Sequence, residues 1–476
     1  MNVLAIDQGT SATKALVVGP DGRVLGTGER AVHPRWLPDG GVEQDPEELW
    51  SSVVGAGRQA LASVREGVVA VGLANQGETV LAWDRGTGRP LSQAISWQDR
   101  RAAGVCDALA AEADRLHEIT GLPLDPYFAA PKIRWLREHV TRDGACTTTD
   151  AWLLHRLVGR FVTDAATASR TLLLDLGAGR WSAEACDAFD IDPEALPEIV
   201  GCTNPLGDTT AFGAGLPVTA AIVDQQAALF GQGCLASGDA KCTYGTGAFL
   251  LANIGNEPRR SASGLATSIA WRRGEATTYC LDGQAYTAGA AVAWLQELGL
   301  VTTPEDLDAA GGAVPDARDV HFVPALAGLA APFWKPQARG ALVGLSLATS
   351  RAHLVRAMTD GIAAQVAWLA RSVAYDLGGP LTRLRVDGGL TRSRTLLQTQ
   401  ADLLQMPVDV YPSPDATALG VAALACLGAG LASSPADAVG TWTPAATYEP
   451  RISADAAEAR LAAWRRAVEA TMDLRL

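Results

Sequence analysis

The sequence predicts an α/β protein made of two similar halves, each with its own sheet and covering helices. Three observations lead there. The first thirty residues read as consecutive hairpins, a second strand–glycine turn–strand unit recurs around residues 240–254, and 476 residues are too many for one ordinary domain but suit two.

The elements follow in order. Residues 3–6 form an apolar run, residues 7–13 a polar turn, and residues 15–18 a second run, before Pro20-Asp21-Gly22 turns the chain into Val24-Leu25-Gly26. A dinucleotide fold would put a helix after its first strand, whereas this chain doubles back. Pro46-Glu47-Glu48-Leu49-Trp50 opens a helix, with Asp45 as its N-cap and Pro46 at the first helical position. Residues 68–74 read as a buried strand. Further helices are expected near 101–115, 130–140, 286–298, 350–378, 393–405, 414–430 and 453–473. The halves divide near residues 225–235, giving domains 1–230 and 231–476 with a nucleotide between them.

Composition narrows the function. A net charge of -13 argues against nucleic acid, because a backbone binder needs Lys and Arg to replace counterions. It leaves room for a local phosphate site, which backbone amides and one or two cations can make. The eight cysteines are scattered without a C-x-x-C pair, so they read as small buried hydrophobes of a reducing compartment. Residues 1–6 run straight into an acidic turn without a signal peptide, and no apolar stretch approaches the ~18 residues of a membrane helix, so a cytoplasmic protein away from membranes is expected. The six histidines (His33, His117, His139, His155, His321 and His353) show no triad or metal spacing and are read as surface or structural.

Four polar turns end apolar runs. Asp7-Gln8-Gly9-Thr10-Ser11-Ala12-Thr13-Lys14 combines close backbone approach at Gly9 with hydroxyls, a cation at Lys14 and a carboxylate at Asp7 that suits magnesium. An ordinary polar hairpin turn fits this stretch as well. Val223-Asp224-Gln225-Gln226 puts an aspartate at the C-terminal end of a strand, where α/β enzymes place reacting groups and a carboxylate can take a proton from an attacking hydroxyl. Asp224 would equally serve as a helix N-cap. Tyr244-Gly245-Thr246-Gly247 and Asp387-Gly388-Gly389-Leu390 are glycine turns suited to a nucleotide, and each alone is more often just a tight turn. Trp135, Trp152 and Trp294 are assigned to packing.

In sequence these segments resemble the FGGY carbohydrate kinase family, with the motif pattern of its glycerol kinases. The likeness runs through Ile6-Asp7-Gln8-Gly9-Thr10, Gly41-Val42-Glu43-Gln44-Asp45-Pro46, Asn75-Gln76-Gly77-Glu78-Thr79, Ser96-Trp97-Gln98-Asp99-Arg100, Asp125-Pro126-Tyr127-Phe128, Ala168-Ser169-Arg170-Thr171, Asp224-Gln225-Gln226 and Thr417-Ala418-Leu419-Gly420. The resemblance implies two actin-like (ribonuclease H-like) ATPase domains closing on MgATP and a small polyol or sugar in the cleft between them. It implies Asp7 on the metal side, Thr10, Ser11 and Lys14 in the phosphate loop, and Asp224 as general base. Thr246, Gly289, Gly389 and Ser393 would contact the nucleotide, and Gly77, Glu78, Trp97, Tyr127, Asp224, Gln225 and Phe249 would bind the acceptor. The resemblance also implies a homo-oligomer, since members are often dimers or tetramers, and no residue here selects between them. The chain departs from the pattern at Gly77, where glycerol kinase has arginine, at Ala293 for glutamine and at Ser393 for asparagine. Gly77 favours an acceptor larger than glycerol, a longer polyol or a ketose such as xylulose or ribulose. Glycerol itself, an actin-like ATPase, or a ligand sensor without turnover are the competing readings.

Overall fold

The computed structural model describes residues 1–472 except 66, 214, 304 and 305. The first half opens with the expected hairpins. Strand β1 (Asn2–Gln8) pairs antiparallel with β2 (Ala12–Val18), and β2 pairs with β3 (Val24–Ala31). Helix α1 (Pro46–Ala62) begins on Asp45, whose carboxylate accepts the Glu47 N–H at 2.9 Å, with Pro46 at the first position, where no N–H is needed. It leads to β4 (Val68–Asn75), parallel to β1; β5 (Gly207–Thr209) and β6 (Leu216–Val223) complete a six-stranded sheet of order β5-β6-β4-β1-β2-β3. Between β4 and β5 lies helix α2 (Ala129–His139), and β6 runs directly into α3 (Asp224–Gly231).

The second half repeats the plan. Strands β7 (Ala240–Tyr244), β8 (Ala248–Gly255), β9 (Ala266–Arg273) and β10 (Ala276–Ala285) are joined by β11 (Leu384–Asp387), β12 (Val408–Val410) and β13 (Ala446–Tyr448) in the order β9-β10-β8-β7-β11-β12-β13. The run β10-β8-β7-β11-β12 has the directions of β3-β2-β1-β4-β6: two antiparallel pairings followed by two parallel ones. The glycine-turn hairpin of mid-chain is thus the second copy of the opening hairpin. Helices α4 (Gly289–Glu297), α5 (Arg351–Leu377), α6 (Arg394–Leu404), α7 (Ala416–Gly428) and α8 (Ala454–Met472) cover this sheet and the seam with the first.

The halves share a core. Val3, Ala5 and Ile222 of the first sheet pack in one apolar cluster with Leu251 and Cys280 of the second and with Ala418 and Val421 of α7. Helices α3 and α7 approach to backbone contact at two glycines: a Cβ on Gly420 would lie 1.9 Å from the Ala227 carbonyl oxygen, and one on Gly231 would lie 2.4 Å from that of Ala416. Seven cysteines are buried, Cys426 is half-buried, and all eight are free thiols.

The region expected as one helix over 101–115 is instead two short helices, Ala103–Ala108 and Ala113–Thr120, with a 3-10 turn at Ala110–Glu112. Val105 of the first and Leu116 and Ile119 of the second face one apolar core.

Candidate active site

The strand ends meet at a cavity of about 270 Å³ lined from both halves. It brings together all seven residues expected around the acceptor, Gly77, Glu78, Trp97, Tyr127, Asp224, Gln225 and Phe249, together with Thr10, Ser11 and Thr246. Gly289, Gly389 and Ser393 are not among its lining residues. Gly289 N–H donates to the Gly245 carbonyl at 3.0 Å, packing α4 on the glycine turn, and Gly389 opens a 3-10 turn directly after β11. The Ser393 hydroxyl caps α6 and donates to Asp308 at 2.7 Å, so within the chain it is already engaged.

The turn after β1 is built by glutamines. Gly9 N–H closes it on the Ala12 carbonyl, Gln44 donates to the Thr10 carbonyl at 2.8 Å, and Gln76 donates to Gln44 at 2.9 Å. Trp97 Nε1–H donates to Thr10 Oγ1 at 2.9 Å, which ties this turn to the aromatic wall. Trp97 meets Tyr127 and Phe249 edge-on, each at 5.8 Å between ring centres. The carbonyls of Pro126, Tyr127 and Phe128 all accept from the buried Lys132 ammonium, which fixes the loop that carries Tyr127. Lys14 pairs with Asp415 at 3.1 Å, a contact from β2 to the start of α7.

Glu78 follows Gly77 in the left-handed region (φ 56°), a conformation unfavourable for a glutamate and held here by its partner. Arg170 Nε donates to Glu78 Oε1 at 2.6 Å, and Arg170 Nη1 lies 2.7 Å from Asp282 Oδ2, all three side chains being buried. Arg170 and Asp282 line the cavity; Arg170 falls in one of the stretches that carry the resemblance but was given no role there, and Asp282 was not singled out in the sequence. The signal that could have found Arg170 is its isolation, a lone guanidinium in an otherwise apolar and hydroxyl-bearing stretch, Ala168-Ser169-Arg170-Thr171-Leu172-Leu173. A Cβ on Gly77 would lie 2.9 Å from Val223 Cγ2, closer than a side chain normally approaches, and would meet nothing else within 4 Å.

Electrostatically the cleft is acidic. Asp224 is the first residue of α3 rather than its cap, accepts the Gln225 N–H at 2.6 Å, and is pushed up to about 8 by burial, then by Asp7 and Glu78. Asp7 is pushed up to about 7, by burial first, with Lys14 opposing and Asp415 and Asp387 adding to it. Burial raises Glu78, Asp282 and Asp387 too, against Arg170 for the first two and Lys241 for the third. Buried carboxylates that raise one another are short of a cation. Among the described residues no three His, Cys, Asp or Glu side chains converge as a ready-made metal cage.

Two sheets sharing a strand order meet at a cavity walled by carboxylates and aromatic rings, the frame of a two-domain phosphotransferase with an alcohol group as acceptor. The model of the N-terminal domain of the FGGY family of carbohydrate kinases matches residues 2–231, and that of the C-terminal domain matches residues 240–429. The chain belongs to the FGGY family of carbohydrate kinases. It is 43% identical to a glycerol kinase of Alkalilimnicola ehrlichii, over 98% of this chain and 97% of that one, and 41% identical to a glycerol kinase of Myxococcus xanthus, over 98% of each. Its fold superposes on the crystal structure of Plasmodium falciparum glycerol kinase with ADP at a TM-score of 0.91 and 30% identity, covering 100% of this chain and 99% of that one. A gluconate kinase from Lactobacillus acidophilus shares the fold at a TM-score of 0.91 with 21% identity, covering 99% of this chain and 98% of that one. No helix among the described residues is long and apolar enough to cross a membrane.

Proposed function

We propose that this chain transfers the γ-phosphoryl group of ATP to a primary hydroxyl of a small uncharged polyol or sugar, with Asp224 as general base. The observation that carries this reading is the company of Asp224. Its buried carboxylate lines one cavity with Glu78, Gln225 and the aromatic wall of Trp97, Tyr127 and Phe249. Carboxylates and an amide fix hydroxyls, while aromatic faces cover carbon and exclude water. A filament or chaperone ATPase has no use for this wall.

Thr10, Ser11 and Lys14 on the first turn, and Thr246, Gly289, Gly389 and Ser393 in the second half, would hold the nucleotide. Asp7 would hold magnesium, which when bound supplies positive charge to the oxygens between donor and acceptor. Asp224 takes the proton of the attacking hydroxyl, Glu78 and Gln225 hold the neighbouring hydroxyls, and closure of the halves keeps water from the phosphate. The boundary between the halves is put at residues 230–231, where α3 ends before β7.

Glutamates and aspartates outnumber cations around the acceptor, with Glu78, Asp224 and Asp282 against Arg170 and Lys241. That balance disfavours an anionic sugar acid. The lack of a side chain at Gly77 on the cavity wall favours a polyol or ketose longer than glycerol, while the identity of 41–43% to glycerol kinases over nearly the whole chain supports glycerol itself. ADP release with MgATP against glycerol, four- and five-carbon polyols, ketoses and gluconate decides among them. Turnover on one uncharged acceptor, lowered by about 10²–10⁴ in a folded Asp224→Asn variant, is expected. Equal ATP hydrolysis with and without every acceptor would show the reading to be wrong.

A further inference from the structure

A fully buried cation beside the cleft has no part in the reaction as described. Lys241 sits in β7, fully buried, with Nζ 2.5 Å from Gln225 Oε1 and 2.9 Å from Thr243 Oγ1. The Thr243 hydroxyl donates in turn to Asp387 Oδ1 at 2.6 Å. An ammonium has three protons and no lone pair, so it can only donate. With its carbonyl oxygen held by Lys241, Gln225 has its amide NH₂ left for the cavity it lines. By the same logic Thr243 must turn its proton to Asp387. One cation therefore dictates the direction of two hydrogen bonds, one on the acceptor side and one on the strand that leads into the Gly388-Gly389 turn.

Resting on the phosphotransfer reading, we propose that Lys241 is a positioning residue that fixes Gln225 as a hydrogen-bond donor to an acceptor hydroxyl oxygen. The protons of the acceptor hydroxyls are then left for the carboxylates of Glu78 and Asp224. An amide without this restraint has two orientations of similar shape and opposite polarity, and in one of them it offers an oxygen to a site already crowded with acceptor oxygens. The contact also spans the two halves, since Gln225 is the second residue of the helix after the last strand of the first sheet and Lys241 lies on the first strand of the second. Asp224 and Asp282 stand near the same ammonium from α3 and β10, so the lysine enters the site with carboxylates on more than one side.

The test measures KM for the acceptor and KM for ATP separately, in the full-length chain and on the acceptor the wild type turns over. Lys241→Met is expected to raise acceptor KM about tenfold or more, the cost of a misdirected buried hydrogen bond, with ATP KM changing by less than about twofold. Lys241→Arg restores part of the loss, because a guanidinium also only donates. Combining Lys241→Met with Gln225→Leu is no worse than the more damaging single change, because both remove one contact. An unchanged acceptor KM in folded Lys241→Met, ATP KM rising in step with it, or fully additive effects would each overturn the proposal. If Lys241→Met does not fold, Gln225→Glu decides. A carboxylate cannot donate, so acceptor KM must rise by a similar factor, and a wild-type value there would also overturn it. Absence of wild-type turnover on every acceptor would instead remove the phosphotransfer reading beneath it.

Discussion

Asp224 is poised against its own ionisation. Burial and the facing carboxylates of Asp7 and Glu78 lift it from an ordinary 3.8 to about 8. A general base works ionised, so kcat/KM for the acceptor should climb with pH through about 8 and level off above it. The same shift has a stability sign. A carboxyl whose folded value exceeds its unfolded one stabilises the fold below 3.8, and that contribution is lost as pH rises through about 8. Asp224→Asn removes the charge but keeps the shape, so the empty variant should melt a few degrees above wild type at pH 9 and close to it at pH 5. Identical melting differences at both pH values would mean that Asp224 is not the strained acid. At this scale the sequence showed the groups that end strands, which is why Asp7, Asp224 and the aromatic wall were legible. Arg170, Asp282 and Lys241 were given no role because each acquires its meaning from a partner on another element. Glu78 is 92 residues from Arg170, and Asp387 is 144 from the Thr243 that links it to Lys241.

Helix positions were readable to within a few residues where caps and glycines mark them. Asp45-Pro46 starts α1, and Gly378 closes α5 in a left-handed cap. What could not be read was where a helix goes. Helix α7 belongs in sequence to the second half, yet it lies against α3 and the first sheet, because small residues on two of its faces admit close neighbours on both. Gly420 is the tightest point of that crossing, since its Cβ would fall 1.9 Å from the Ala227 carbonyl oxygen. Gly420→Ala should therefore cost about 1–3 kcal/mol, read as a lower Tm, and should weaken acceptor turnover through the displaced Asp224–Gly231 helix. The same substitution at Gly379, where a Cβ meets nothing within 4 Å, should leave both nearly unchanged. Equal effects at the two sites would show that the crossing does not set the position of α3.

Taken whole, the molecule holds its acids where its two sheets meet. Asp7 comes from the first sheet, Asp387 from the second, and Asp224 from the helix between them, so any closure of the halves brings like charges together. A cation held near these carboxylates would offset their repulsion, so closure should be favoured with one and opposed without it. This predicts how nucleotide should stabilise the chain. MgATP should raise Tm more than ATP with EDTA, and the difference should widen from pH 6 to pH 9 as Asp7, at about 7, and Asp224, at about 8, give up their protons. Asp7→Asn should remove most of the magnesium-dependent part while leaving the part owed to ATP alone. If ATP with EDTA stabilised the protein as much as MgATP at every pH, the buried acids would have some role other than holding a cation. The halves would then be drawn together by the nucleotide's own contacts with the glycine turns.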